Sequence, residues 1–117
     1  MVNENGFYLG TINYSFLKDD DLLEMNKTFL GHNFYTDIIS FDYSEKKTLA
    51  GDIYISVDRV MENSKEYKCS FEMELNRVMI HGILHFMGLK DKTKSEAANM
   101  RQAENKSLQD LNSTKYS

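Results

Sequence analysis

His81, His85 and Asp91 are the residues whose types and spacing suit chemistry, within the run His81-Gly82-Ile83-Leu84-His85-Phe86-Met87-Gly88-Leu89-Lys90-Asp91. Four residues apart on a helix, the two imidazoles project from one face with Cβ atoms about 6 Å apart, and their nitrogens can converge on one ion. Gly88 lets the chain leave that helix with positive φ, and the turn can return Asp91 beneath the histidines as an oxygen ligand. Three protein ligands and an open position suit a catalytic rather than a structural zinc site. A zinc ion, or another divalent metal, would lower the pKa of a water and polarise the bond to be cut, which is the chemistry of a hydrolase. A bare His-x-x-x-His pair is more often two solvated or core histidines. This one lies on an otherwise apolar helix, where unpartnered imidazoles are costly to bury, and it is followed by a glycine and an aspartate at suitable offsets.

The elements around this run can be read from hydrophobic period. Gly10 to Phe16 alternates around Ile12, Tyr14 and Phe16 and predicts a strand. Asp19-Asp20-Asp21 then suits a helix N-terminus, with Leu22, Leu23, Met25, Phe29 and Leu30 as the apolar face. Asp37 to Tyr43 and Asp52 to Val57 read as a hairpin joined by Ser44-Glu45-Lys46-Lys47 and closed by Gly51. Asp58 to Tyr67 reads as a helix. Ser70 caps the next, which carries Phe71, Leu75, Val78, Met79, Gly82, Ile83 and Phe86 to a stop at Gly88. Thr93-Lys94-Ser95-Glu96 has capping-box spacing and opens a last amphipathic helix with Met100, Ala103, Leu108 and Leu111. The expected fold is α+β, a small mixed sheet of three to four strands covered by helices, with the metal site on the penultimate helix and the turn after it.

At 117 residues the chain supports one core, so residues 1–117 are read as one domain. A hydrophobic fraction of 41% and a charged fraction of 27% are those of a globular rather than a disordered chain. No stretch has the roughly 20 apolar residues of a bilayer span, and Met1 to Gly6 has neither a basic start nor an apolar run, so a cytoplasmic protein is expected. The single Cys69 fits a reducing compartment and reads as a half-buried residue before a helix. A net charge of −4 offers no general basic field for nucleic acid, although a local basic rim and a metal can replace one.

His81-Gly82-x-Leu84-His85-x-x-Gly88-x-x-Asp91 resembles the signature of the YbeY endoribonuclease family, in which a His-Gly-x-Leu-His-x-x-Gly segment leads to a third ligand. Thr36-Asp37-Ile38-Ile39-Ser40-Phe41 resembles that family's strand block, and Gly51-Asp52-Ile53-Tyr54-Ile55 its following Gly-Asp-Ile segment. Met25-Asn26 and Glu104 match weaker positions, so the resemblance runs from about residue 10 to residue 111. It implies metal-dependent cleavage of single-stranded RNA in rRNA maturation, including 16S rRNA 3′ end processing, and in ribosome quality control. The implied partners are rRNA and ribosomal components, with no DNA and no membrane.

Three departures carry consequences. Most relatives have a third His where Asp91 stands, and the extra negative charge makes the metal a weaker Lewis acid. Lys90 and Lys92 flank it and can compensate. Leu30 occupies the place of an Arg thought to assist catalysis, and His32 or Arg77 are the candidates to replace it. The chain also starts later than its relatives, which would leave a sheet edge less covered. Asp37, Ser40 and Asp52 are candidates to support the ligands, move protons or touch substrate, although Asp37 and Asp52 read equally well as turn and strand-start carboxylates. Tyr35, Tyr43 and Tyr54 can stack on unpaired bases, but aromatics in strands are more often packing partners. Two other readings stand beside the nuclease. A zinc metalloprotease would need a Glu after the first His, where this chain has Gly82. A non-catalytic ribosome-associated factor would use the same metal to hold its final helices together.

Overall fold

The computed structural model describes residues 6–116, with side chains through residue 109. Met1 to Asn5, used above in the reading of the N-terminus, and the side chain of Leu111 lie outside the described residues. The element order is β1 (Tyr8–Leu17), α1 (Asp19–Leu30), β2 (Ile38–Asp42), β3 (Thr48–Ser56), α2 (Val57–Glu66), α3 (Phe71–Phe86) and α4 (Lys94–Tyr116). The α+β class and the order of elements are as the hydrophobic period predicts.

The sheet has three strands in the order β1-β3-β2. β2 and β3 form the antiparallel hairpin, whereas β1 and β3 run parallel, and the chain passes through α1 and β2 between them. Central β3 has Leu49, Gly51, Ile53 and Ile55 buried in strict alternation, the pattern of a strand with one face on a core. It begins at Thr48 rather than Asp52. Gly51 therefore does not close the turn, but pairs with Asp42 on one side and Ile12 on the other.

The face bearing Ile53 and Ile55 packs on α3, with Leu49, Val60, Val78 and Phe86 completing the core cluster. The other face carries Phe41 and Tyr54, edge to face at 5.9 Å, and Phe29 of α1 meets Phe41 at the same separation. Helices thus flank both faces. The apolar stripe of α1 is only partly buried: Leu22 is buried, but Phe29 and Leu30 are exposed. The buried polar residue of this helix, Asn26, donates from Nδ2 to the Phe34 carbonyl at 2.9 Å and holds the loop that leads to β2.

α3 lies on the sheet through Gly82. A Cβ there would stand 2.8 Å from Ile53 Cδ1 and 3.1 Å from Ile38 Cδ1, so a glycine lets the helix approach the strands this closely. α4 then packs across α3, with Met100, Glu104 and Leu108 buried one helical turn apart. Among the described residues no helix is long and apolar enough to cross a membrane.

Candidate metal centre

Local chemistry fixes where α3 begins and ends. Ser70 Oγ accepts from Met73 N–H at 3.0 Å, the cap expected at this position. At the other end Gly88 has φ +104°, Leu89 N–H donates to Leu84 O at 3.0 Å and Gly88 N–H to His85 O at 3.0 Å. Those two bonds are the Schellman pattern, which satisfies carbonyls that the helix leaves free and reverses the chain. The reversal returns Asp91 to the face of α3 that carries His81 and His85. Thr93 and Glu96 then exchange reciprocal bonds of 3.0 Å, the capping box that opens α4.

The three side chains converge. His81 Nε2 and His85 Nε2 are 2.9 Å apart, and Asp91 Oδ2 lies 3.2 Å from the first and 3.4 Å from the second. Each imidazole is oriented through its other nitrogen. His81 Nδ1 donates to Glu104 Oε2 at 2.6 Å and His85 Nδ1 donates to the Leu89 carbonyl at 2.9 Å. A carboxylate and a carbonyl accept only, so each Nδ1 carries the proton and both Nε2 lone pairs point inward beside an anionic oxygen. Three electron pairs cannot share that space without a positive charge between them. A proton satisfies the need in part: burial works against charge on His81, but the hydrogen bond and charge of Glu104, with Asp91 and Asp37, hold its pKa above the ordinary imidazole value. A divalent cation satisfies it fully, and two nitrogens with one carboxylate oxygen are a donor set suited to zinc. Tetrahedral zinc keeps neighbouring donors about 3.3 Å apart, close to the observed separations. The donors present therefore fit a metal, with Glu104 and the Leu89 carbonyl as the outer partners such ligands need.

A cleft of 460 Å³ opens over the three residues. Of the residues named above as candidates to support the ligands, move protons or touch substrate, Asp37, Ser40 and Arg77 line it, whereas Asp52 and His32 do not. Asp52 accepts from Asn13 Nδ2 at 3.1 Å and faces the opposite side of β3 from Ile53, because successive strand side chains alternate and Ile53 belongs to the core on the α3 side. His32 is exposed on the loop after α1, stacked on Phe34 at 5.1 Å. Leu30 is likewise outside the cleft lining. Tyr35, Tyr43 and Tyr54 do not line it either: Tyr35 donates to Asp20 at 2.9 Å, and Tyr54 packs on Phe41.

Sequence reasoning missed Tyr67, Glu74 and Arg101, which also line the cleft. Glu74 is buried and accepts from Arg77 Nη1 at 2.7 Å. Desolvation raises its pKa, with the Arg77 charge opposing. Burial likewise pushes up the carboxyl of Asp37, against the pull of His81. Glu104 Oε1 stands 3.9 Å from both Arg77 Nε and Arg101 Nη1. Glu74 and Arg77 precede His81 by seven and four residues and so share its helical face, a signal available in the sequence. Tyr67 and Arg101 had none, because α2 and α4 bring them in from distant sequence.

The profile of the family "Endoribonuclease YbeY" matches residues 2–112. Proteins named Endoribonuclease YbeY are similar over most of this chain. That of Flavobacterium psychrophilum is 52% identical over 85% of this chain and 71% of its own length. That of Christiangramia forsetii is 50% identical over 92% of this chain and 75% of its own length. The solution structure of TM1509 from Thermotoga maritima superposes with a TM-score of 0.61 at 29% identity, covering 97% of this chain and 77% of that one. A profile that spans nearly every residue, and relatives identical at about half of the aligned positions, lead to one conclusion: the chain belongs to the endoribonuclease YbeY family.

Proposed function

We propose that this chain, as a single unit over residues 1–117, is a metal-dependent endoribonuclease that cuts single-stranded RNA. Its setting is the cytoplasm, where it acts in rRNA maturation, including the 16S rRNA 3′ end, and in ribosome quality control beside ribosomal components. The observation that carries the proposal is the convergence of His81 Nε2, His85 Nε2 and Asp91 Oδ2, with both Nδ1 atoms already committed to acceptors. The RNA substrate is supported by the names of the relatives.

His81, His85 and Asp91 would hold the metal, with zinc the first choice and another divalent ion the alternative. When bound, it would supply Lewis acidity, polarising a phosphoryl oxygen and acidifying a water. Glu104 and the Leu89 carbonyl keep the two imidazoles in the tautomer that offers Nε2. Asp91 adds a negative charge that a third histidine would not, which tempers the acidity available. Asp37 keeps its proton to higher pH than an ordinary aspartate and suits proton transfer to the leaving oxygen. Arg77, held by Glu74, brings positive charge to a cleft otherwise rich in carboxylates. Ser40 lines the same cleft as a candidate substrate contact.

The protease alternative meets a physical obstacle. Position 82 faces Ile38 and Ile53 of the sheet, so a glutamate there would enter the core instead of acting as a base. The test is metal content by elemental mass spectrometry, with cleavage of a single-stranded RNA measured on the same samples. About one equivalent of zinc or a similar ion in the wild type is expected, lost together with cleavage in His85→Ala and Asp91→Ala. Folded, metal-free wild type would overturn the proposal. Variants that lose metal yet cut normally would leave the site without its catalytic role.

A further inference from the structure

Beside the three convergent residues the cleft has a second cluster, Tyr67, Arg77 and Arg101, contributed by the end of α2, by α3 and by α4. The Arg77 and Arg101 guanidinium carbons stand 5.8 and 5.5 Å from the centroid of the Tyr67 ring. Glu104 connects this cluster to the convergent residues: Oε2 accepts from His81, and Oε1 lies 3.9 Å from each guanidinium. The two members that meet solvent differ in kind. Tyr67 is 49% exposed and Arg101 47%, whereas Arg77 is 14% exposed and pinned to Glu74.

Charge decides what such a cluster can hold. Asp37, Glu74, Asp91 and Glu104 line the cleft, and the only lysine or arginine side chains among the lining residues are Arg77 and Arg101. A polyanion that spans the cleft needs a fixed cation wherever one of its phosphates rests. Arg101 is the exposed one. Tyr67 beside it offers an aromatic surface within the cleft, and base stacking on such a surface is tolerant of sequence.

We propose that Tyr67 and Arg101 form a subsite for one unpaired nucleotide flanking the bond to be cut, Tyr67 stacking its base and Arg101 taking its phosphate. The guanidinium of Arg77, only 14% exposed, adds positive charge at short range. This deepens the single-stranded RNA reading above and rests on it. Duplex RNA keeps its bases stacked within the helix and offers none to Tyr67.

The test is binding to the zinc-loaded protein, read by fluorescence anisotropy. The probes are a labelled single-stranded adenine decamer of 2′-O-methyl phosphorothioate RNA, which resists hydrolysis, and an abasic decamer of equal charge. Tyr67→Ala is expected to weaken the base-bearing decamer roughly tenfold and to leave the abasic one unchanged, while Tyr67→Phe binds as wild type. Arg101→Ala is expected to weaken both probes and to lower the slope of log affinity against log salt by about one. Tyr67→Ala binding both probes as wild type, or weakening both equally, would overturn the subsite and leave the ring as a brace between helices. Wild type that binds neither probe would overturn the RNA reading along with it. Wild type that binds and cuts RNA with no dependence on Tyr67 or Arg101 would overturn the subsite alone.

Discussion

Glu104 has two tasks at once: one oxygen fixes the tautomer of His81 and the other faces two guanidiniums. Removing its charge while keeping its shape separates the tasks. In Glu104→Gln the amide oxygen can still accept from Nδ1, but the bond loses its ionic component, and the imidazole becomes a weaker donor to a cation. Metal affinity measured by competition with a chromophoric chelator is expected to fall about 10- to 100-fold, with the far-ultraviolet circular dichroism unchanged. Unchanged affinity would mean that Glu104 serves the arginines alone. The histidines and Asp91 were legible because their spacing has a direct geometric meaning on one helix and the glycine turn that closes it. Glu104 was reached only through resemblance, since a glutamate on a polar helix looks like any solvated carboxylate until α4 is docked. Asp52 shows the converse: alternation with the buried Ile53 turns it to the face of β3 away from α3, and that parity follows from the strand pattern alone.

The α3 helix and its closing turn form the element on which the candidate centre depends, and both ends of it were readable. Ser70, Gly88 and the Thr93/Glu96 box each have a local chemical reason to be where they are, so no long-range information was needed. Gly88 is the sharpest test of that reading. Its φ of +104° is a conformation in which a Cβ meets the neighbouring backbone, and an alanine there costs about 1–2 kcal/mol. The turn also delivers Asp91 and offers the Leu89 carbonyl to His85. Gly88→Ala is therefore expected to lower stability to urea by about that amount and to weaken metal binding at the same time. A variant that loses stability but keeps full metal affinity would show that Asp91 reaches the histidines independently of the turn.

In the whole molecule, what sequence alone did not reveal is what long-range pairing creates. The hairpin was legible from its turn, but the parallel pairing of β1 with β3 joins residues about forty positions apart, and period-2 alternation says nothing about partner or direction. The cleft wall depends on the same kind of information, since Tyr67 and Arg101 meet only after α4 crosses α3. That architecture also bears on whether a metal would be structural. The core of Leu49, Ile53, Ile55, Val60, Val78 and Phe86 is built between the sheet and the inner face of α3, while His81, His85 and Asp91 retain partial exposure to the cleft. Folding by hydrophobic burial does not require the three to be joined. The metal-free protein is expected to remain cooperatively folded, and zinc at one hundred times its dissociation constant is expected to stabilise it by about 2.7 kcal/mol. For a chain of this size that raises the melting midpoint by about 10 °C. His85→Ala is expected to melt near the metal-free wild type and to ignore both zinc and chelator. Calorimetry on the four samples decides between the two roles. A chelated wild type with no unfolding transition would mean that the metal holds the final helices together, as in the non-catalytic reading. A folded protein that simply loses the ligand-dependent increment is what a site built for chemistry on a finished scaffold requires.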